Sequence, residues 1–186
     1  MHPIEALRRS LRESVIIKIG QYHYFVHPIS DGIPAIDPEL LRGLAGEMAA
    51  RVDPACGRLL TVEALGIPIA TALSLVLGKP LTIVRKKSYD LPGQVAVPSS
   101  TGYATHTLFL NGVGPGERVV FIDDVLSTGG TVRAVVQAVR KAGAEVCDAL
   151  VVIEKGGNRP ALENELGISI KSLVKVEIEN GKLVVR

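Results

Sequence analysis

The stretch VVFIDDVLSTGGTVRAVV, residues 119–136, decides how this chain reads. Val119 to Ile122 is an apolar run suited to a strand buried on both faces. Asp123 and Asp124 follow, then Ser127-Thr128-Gly129-Gly130-Thr131, then a helix predicted over 130–142. Glycines let backbone N–H groups turn toward an anion, hydroxyls add donors, and a helix N-terminus adds positive dipole. The loop therefore reads as a phosphate cradle. It is not a Walker loop, because no G-x-x-x-x-G-K occurs, and two acids stand where the dinucleotide fingerprint has glycines. Adjacent carboxylates repel a second bare phosphate, but they suit hydroxyl groups or a divalent cation shared with one. A phosphorylated sugar with free vicinal hydroxyls meets both demands. The plainer reading, an Asp-capped helix after a strand, explains the acids but not the whole string Val119–Thr131.

Working outward, strand alternates with helix. Leu59–Val62 is a short apolar strand, followed by a helix over 67–77 and a second strand, Leu81–Val84. Residues 85–105 read as one long polar loop, which inside a compact domain is functional or mobile. Thr107–Leu110 is a third strand, Val119–Ile122 a fourth and Val146–Ile153 a fifth, with Gly143 ending the helix between the last two. This alternation predicts an α/β fold, a mostly parallel sheet flanked by helices. Upstream, Ile4, Leu7 and Leu11 space a helix over 3–13, Val15–Ile19 and Tyr22–Val26 are extended, and 28–38 is irregular. Asp37 caps a helix that starts at Pro38 and runs through residue 52. At the far end, Val174–Glu179 and Lys182–Arg186 flank Asn180-Gly181, a hairpin signature. The chain is expected to be one domain over 1–186, with a core at about 40–153 and a small hood from about 15–38 and 154–186.

Ligands of open α/β sheets bind at the carboxyl ends of the strands. Glu63-Ala64-Leu65-Gly66, then Arg85-Lys86-Lys87, then Asp123-Asp124, then Glu154-Lys155-Gly156-Gly157 follow four of these strands. A purely structural sheet does not need charged or Gly-rich sequence at all four ends. Arg85-Lys86-Lys87 also reads as a solvated basic run, but it stands at a strand end before the long loop.

Composition narrows the function classes. The 186 residues are 47% hydrophobic and 22% charged, which excludes disorder and fibrous architectures. A net charge of +2 offers no strong field for nucleic acid, and 4% aromatics with no Trp leave little to stack on bases. Cys56 and Cys147 form no C-x-x-C and read as reduced, buried thiols. MHPIEALRRSLRES has no apolar signal-peptide region, and Ala64–Gly78, interrupted by Pro68, is too short to span a bilayer. The expectation is a cytoplasmic protein with neither nucleic acid nor membrane as partner. His23 and His27 on a strand lie about 13 Å apart at roughly 3.3 Å per residue, too far for one metal ion. GVGPGE, 112–117, leads into a strand and reads as a turn. Tyr22, Tyr24 and Phe25 concentrate aromatics near the hood, where stacking on a ligand and core packing are equally open.

The string Val119–Thr131 resembles the ribose-phosphate signature of the type I phosphoribosyltransferases. TVEALGIP, 61–68, is similar to their pyrophosphate loop, RKKSYDLPGQ with SSTGY to their mobile catalytic loop, and VVIEKGGNR, 151–159, to the base-binding end of the xanthine and archaeal hypoxanthine/guanine enzymes. The blocks span 59–159, and residues 22–38 resemble the archaeal type. The resemblance implies purine salvage: transfer of a 5-phosphoribosyl group from phosphoribosyl pyrophosphate (PRPP) to hypoxanthine or guanine, with Mg²⁺, in a homodimer. It implies that Asp123 and Asp124 hold the ribose hydroxyls and that Ser127 to Thr131 (Ser127, Thr128, Gly129, Gly130, Thr131) hold the 5′-phosphate. It further implies that Glu63, Ala64, Leu65 and Lys87 serve pyrophosphate, that Arg85 and Lys86 act in catalysis across the dimer, and that Val125 and Lys155 meet the base. A non-proline cis peptide in the 63–66 loop is frequent in the family. No dedicated protein metal site is assigned, since Mg²⁺ keeps waters and takes few protein ligands.

Lys155 carries the base reading. An ammonium only donates, a 6-oxopurine offers O6 as acceptor, and adenine offers a donor there, so Lys155 favours the oxopurine. A surface Lys paired with Glu154 or Glu163 is the other reading. The chain also departs from its relatives. Ser127 stands where human-type hypoxanthine enzymes have an Asp for the purine N7 proton. The hood reads DGIP, where xanthine enzymes carry an Asn near Ile33. Thr101-Gly102-Tyr103 lacks the carboxylate that adenine enzymes place ahead of their Tyr-Gly. Adenine is the alternative substrate, orotate a remoter one, and a non-catalytic PRPP-sensing regulator the competing class.

Overall fold

A computed structural model describes residues 1–100, 102 and 104–186. Thr101 and Tyr103, both in the expected mobile loop, lie outside the described residues. The element order is α1 (Pro3–Arg12), β1 (Val15–Ile19), β2 (Tyr22–Val26), α2 (Pro28–Asp31), α3 (Pro38–Ala49), β3 (Arg58–Val62), α4 (Ile67–Leu77) and β4 (Leu81–Val84). It continues with β5 (Val95–Ser100), β6 (Thr105–Leu110), β7 (Arg118–Leu126), α5 (Gly130–Lys141), β8 (Glu145–Lys155), α6 (Arg159–Leu166), β9 (Ser169–Glu179) and β10 (Lys182–Val185).

The central sheet has the order β10-β9-β8-β7-β3-β4, parallel except for the terminal β9–β10 hairpin. Side chains alternate across a strand, so the apolar run of β7 feeds two cores at once. Val119 and Phe121 face the layer of α5, α6 and the β5–β6 ribbon, with Val135, Leu162 and Leu108. Val120 and Ile122 face the opposite layer, with Leu7 of α1, Met48 of α3 and Leu73 of α4. Phe121 is 1% exposed, and removing its ring would cost about 3–5 kcal/mol.

The elements named by pattern alone recur with small shifts, and four readings are corrected. The segment 85–105 is not one loop, because β5 lies within it. Strand β6 pairs antiparallel with β5, register Val97↔Leu108, and stands outside the central sheet. In β5 burial alternates along Val95-Ala96-Val97-Pro98-Ser99-Ser100, and its apolar stretch is only three residues long before Pro98, so the segment does not read as a strand. Helices α2 and α6 were absent from the sequence reading: both are short, and Pro28 and Pro160 in their first turns read as breakers. Residues 169–186, expected in the hood, are strands of the central sheet, since β9 continues it parallel to β8. Finally, α3 ends at Ala49 and not at residue 52.

Strands β1 and β2 form a separate antiparallel hairpin. Its anchor is His27, which caps α2. The Ile29 N–H donates to His27 Nδ1 at 3.2 Å, so the proton sits on Nε2 and is donated to Ser10 Oγ, 2.9 Å away. This imidazole is fully buried, and burial lowers its pKa to about 4, with Asp31 opposing the drop. In the unfolded chain it titrates near 6.5. Between these values the unfolded state binds more protons, so this contribution is lost as pH falls from 6.5 to 4. Urea unfolding across that window should show a loss of roughly 3 kcal/mol attributable to His27. A His27→Gln variant should unfold with a visibly shallower pH slope than the parent.

Candidate active site

The acids sit on the strand and not after it. β7 runs on to Leu126, and Asp123 still pairs in register with Val151 of β8. That rigid placement sets both carboxylates at the carboxyl end of the sheet, in one solvent-open cavity of about 150 Å³. Asp124 is 4% exposed. Burial pushes the Asp123 carboxyl well above the usual carboxylate range, and the charge of Asp124 adds to the rise, while Lys86 opposes it. Asp124 is also raised by burial, with Ser30 and Asp123 moderating it. Ser30 faces Asp124, yet among the described residues neither Ser30 Oγ nor Asp124 Oδ2 has a partner of hydrogen-bond geometry. A buried acceptor pair of this kind fits hydroxyl donors or a divalent cation.

Beside the acids, α5 begins at Gly130 behind Gly129, whose φ is +82°, and no side chain caps its N-terminus. The first-turn N–H groups of the helix are thus left for an anion. The loop is braced from α6. Asn158 Nδ2 donates to the Ser127 carbonyl at 3.2 Å, and a Cβ on Gly129 would stand 2.5 Å from Leu162 Cδ2. From α5 itself, Arg133 donates to the Thr128 carbonyl at 3.0 Å and pairs with Glu165. On Gly130 a Cβ would meet the Ser100 carbonyl oxygen at 1.5 Å, so the end of the β5–β6 ribbon rests directly on the cradle.

The same cavity is lined by Glu63, Ala64, Leu65, Lys86, Val125 and the stretch 127–131. The Glu63–Ala64 peptide is cis. Three expected residues stand elsewhere. Arg85 is outside the walls and pairs with Glu63 at 3.1 Å, while the Glu63 carboxylate also accepts from the Lys86 N–H. Lys87 is exposed and is not among the walls of this cavity. Lys155 is half-buried, with its Nζ 3.7 Å above the Tyr22 ring and bonded to the His23 carbonyl. It pairs with neither of the acids considered for it. Glu154 instead takes Arg159 at 3.0 Å and Ser172 at 2.9 Å, and Glu163 accepts from the Ile170 N–H.

Sequence reasoning included Thr61 and Gly66 in the block 61–68 but gave neither a role of its own. A Cβ on Gly66 would lie 2.4 Å from Thr61 Oγ1 and 2.6 Å from Asp123 Oδ1. Its place after a strand end was the available signal, but the clash partner is 57 residues away in the chain. Gly66→Ala should displace the Asp123 carboxylate and lower the rate constant of the reaction by roughly 10²-fold, with circular dichroism unchanged.

An acid pair, an uncapped helix N-terminus and a backbone-lined loop around one cavity are suited to an anion beside hydroxyl groups. Residues 58–179 match the phosphoribosyl transferase domain, and the chain belongs to that family. It is 46% identical over 180 residues to the hypoxanthine/guanine phosphoribosyltransferase of Methanocaldococcus jannaschii, covering 96% of this chain and 98% of the relative. The hypoxanthine/guanine phosphoribosyltransferase of Methanocella paludicola is 45% identical over 179 residues, covering 96% and 93%. Among solved structures, the adenine phosphoribosyltransferase of Thermoanaerobacter pseudethanolicus superposes with a TM-score of 0.71 at 25% identity, over 92% of this chain and 99% of that one. The Trypanosoma brucei adenine enzyme, solved with AMP, pyrophosphate and ribose-5-phosphate, gives 0.74 at 18% identity, over 93% and 79%.

Proposed function

We propose that this chain transfers the 5-phosphoribosyl group of PRPP to hypoxanthine or guanine, giving IMP or GMP and pyrophosphate. The observation that supports it most directly is the paired Asp123 and Asp124 beside the uncapped start of α5. The acids take the ribose hydroxyls, and Ser127 to Thr131 take the 5′-phosphate. Glu63, Ala64 and Leu65 lie where the pyrophosphate departs. Cleavage at the anomeric carbon passes through an oxocarbenium-like state, as in other glycosyl transfers. Negative charge then grows on pyrophosphate, where a cation and fixed backbone donors stabilise it. Lys86, on the cavity wall and felt by Asp123, is that cation in this reading. Arg85 is held by Glu63, so its part is to position this loop, and Lys87 is left to the approach of the anion. The β5–β6 ribbon, resting on Gly130, excludes water from PRPP.

Mg²⁺ fits this site. The orphaned Asp124 Oδ2 and the raised Asp123 are hard oxygen donors without a cation, and they would hold the ion through its water shell and the ribose hydroxyls. Bound there, Mg²⁺ supplies charge neutralisation to the departing pyrophosphate. For the base, Val125 lines the cavity and Lys155 lies just beyond it behind Tyr22; its ammonium pairs with O6 of an oxopurine and cannot pair with the amino group of adenine. The reading as an adenine enzyme has only the fold neighbours behind it, whereas relatives at 45–46% identity are named for hypoxanthine and guanine.

A homodimer is part of this proposal. Leu75 and Val76 of α4 are 80% and 51% exposed, and the edge strand β4 that follows leads into Arg85 to Lys87. We place the protein in the cytoplasm; among the described residues no helix is long and apolar enough to cross a membrane.

The deciding experiment measures nucleotide formation from PRPP and Mg²⁺ with hypoxanthine, guanine, xanthine and adenine in turn; no product with any base would return the chain to the sensor class. In the same assay, Asp123→Asn with Asp124→Asn should abolish turnover while thermal unfolding stays cooperative. Lys155→Gln should erode the preference for hypoxanthine over adenine by roughly tenfold, the worth of one charge-assisted hydrogen bond of about 1.5 kcal/mol. An unaltered ratio would remove Lys155 from base selection.

A further inference from the structure

The cation expected to read the base does not face the cavity. Tyr22, from the hood strand β2, lines the cavity, while Lys155 is not among its walls. The Lys155 ammonium stands 3.7 Å from the centroid of the Tyr22 ring and donates to the His23 carbonyl, so it is satisfied by the hood and covered by an aromatic face. At its other end the same side chain is pinned. The Tyr22 hydroxyl is 2.9 Å from Ser127 Oγ, the first residue of the phosphate loop. Gly102 of the 85–105 segment backs onto the ring, where a Cβ would stand 2.5 and 2.6 Å from two ring carbons. One side chain thus touches the hood, the catalytic segment, the phosphate loop and the base-reading cation, residues far apart in the chain.

Resting on the function proposed above, we propose that Tyr22 is a latch that keeps the base site shut until the phosphate loop is filled. O6 of a purine reaches Lys155 only when the ring leaves the ammonium. The ring leaves when its hydroxyl is freed from Ser127. A phosphate in the cradle frees it, because an anionic oxygen is a better acceptor than a hydroxyl, and charge-assisted bonds are roughly twice as strong as neutral ones. Both hydroxyls then turn to the anion. Tyr22 is therefore a positioning residue that couples the order of the phosphate loop to base affinity, in addition to any area it offers the purine.

The test is calorimetric binding of hypoxanthine to the intact protein without PRPP, with and without inorganic phosphate as the probe of the cradle. The parent should bind hypoxanthine about fivefold more tightly with phosphate present, the equivalent of one neutral hydrogen bond of about 1 kcal/mol. Tyr22→Phe keeps the ring against Gly102 and Lys155 but loses the pin. It should bind hypoxanthine about fivefold more tightly than the parent in the absence of phosphate, and phosphate should add nothing. A purely structural Tyr22 does not move that phosphate dependence. The latch is overturned if the parent shows no phosphate effect, if Tyr22→Phe retains one of parental size, or if Tyr22→Phe binds no more tightly than the parent. Parental turnover of PRPP with hypoxanthine, run beside these titrations, separates the two readings: no turnover ends the proposed function, and turnover with a failed latch ends only this inference.

Discussion

Two carboxylates held side by side at the end of a strand, Asp124 buried and Asp123 half-buried, are the constraint around which this molecule is arranged. Burial raises both pKa values, the charge of Asp124 adds to the rise at Asp123, and like charges so placed disfavour joint ionisation. The arrangement persists because β7 is embedded between β3 and β8 and packed on both faces. A site of this kind is relieved by hydroxyl protons and by a cation. The electrostatic cost of the unliganded pair is therefore also a source of affinity for a ligand that brings both.

Everything next to the pair is shaped by how closely backbone must approach. Gly66 admits the Asp123 carboxylate beside Thr61, and Gly130 admits the Ser100 carbonyl. Each is a position where one extra carbon has no room. The uncapped start of α5 follows the same logic, since a capping side chain would fill the place of the anion. Helix α6 contributes no group to the cavity, yet Asn158 and Leu162 hold the phosphate loop from behind, so the loop geometry depends on an element outside the signature.

The hood supplies coupling and the core supplies chemistry. The β1–β2 hairpin is tied down through His27 to Ser10 and reaches the site through Tyr22. Its contact with both Ser127 and Lys155 places a single aromatic ring between the loop that opens α5 and the end of β8. Arg85, by contrast, is drawn off by Glu63, so the basic triplet divides into one residue on the wall, one in an ion pair and one in solvent.

What the residues determined unaided is local and periodic. Apolar runs of period two and stripes of period 3.6 named β3, α4, β4, β7, α5 and β8, because strands buried on both faces must be apolar throughout. The acid pair and the Gly/Thr loop were legible because their chemistry is contiguous in the chain. Strand β5 was not, since only one of its faces is buried and Pro98-Ser99-Ser100 ends its short apolar stretch; β6 was legible as a strand, but its pairing outside the central sheet was not. Helix α6 was not, since eight mostly polar residues carry too weak a stripe. The place of β9 and β10 in the main sheet was set by pairing with β8, which no local pattern encodes. Only the tertiary structure could bring Tyr22 to Ser127 and Lys155 to the hood, because those contacts join residues more than a hundred positions apart, and side-chain contacts at that separation exist only once the sheet has ordered the chain.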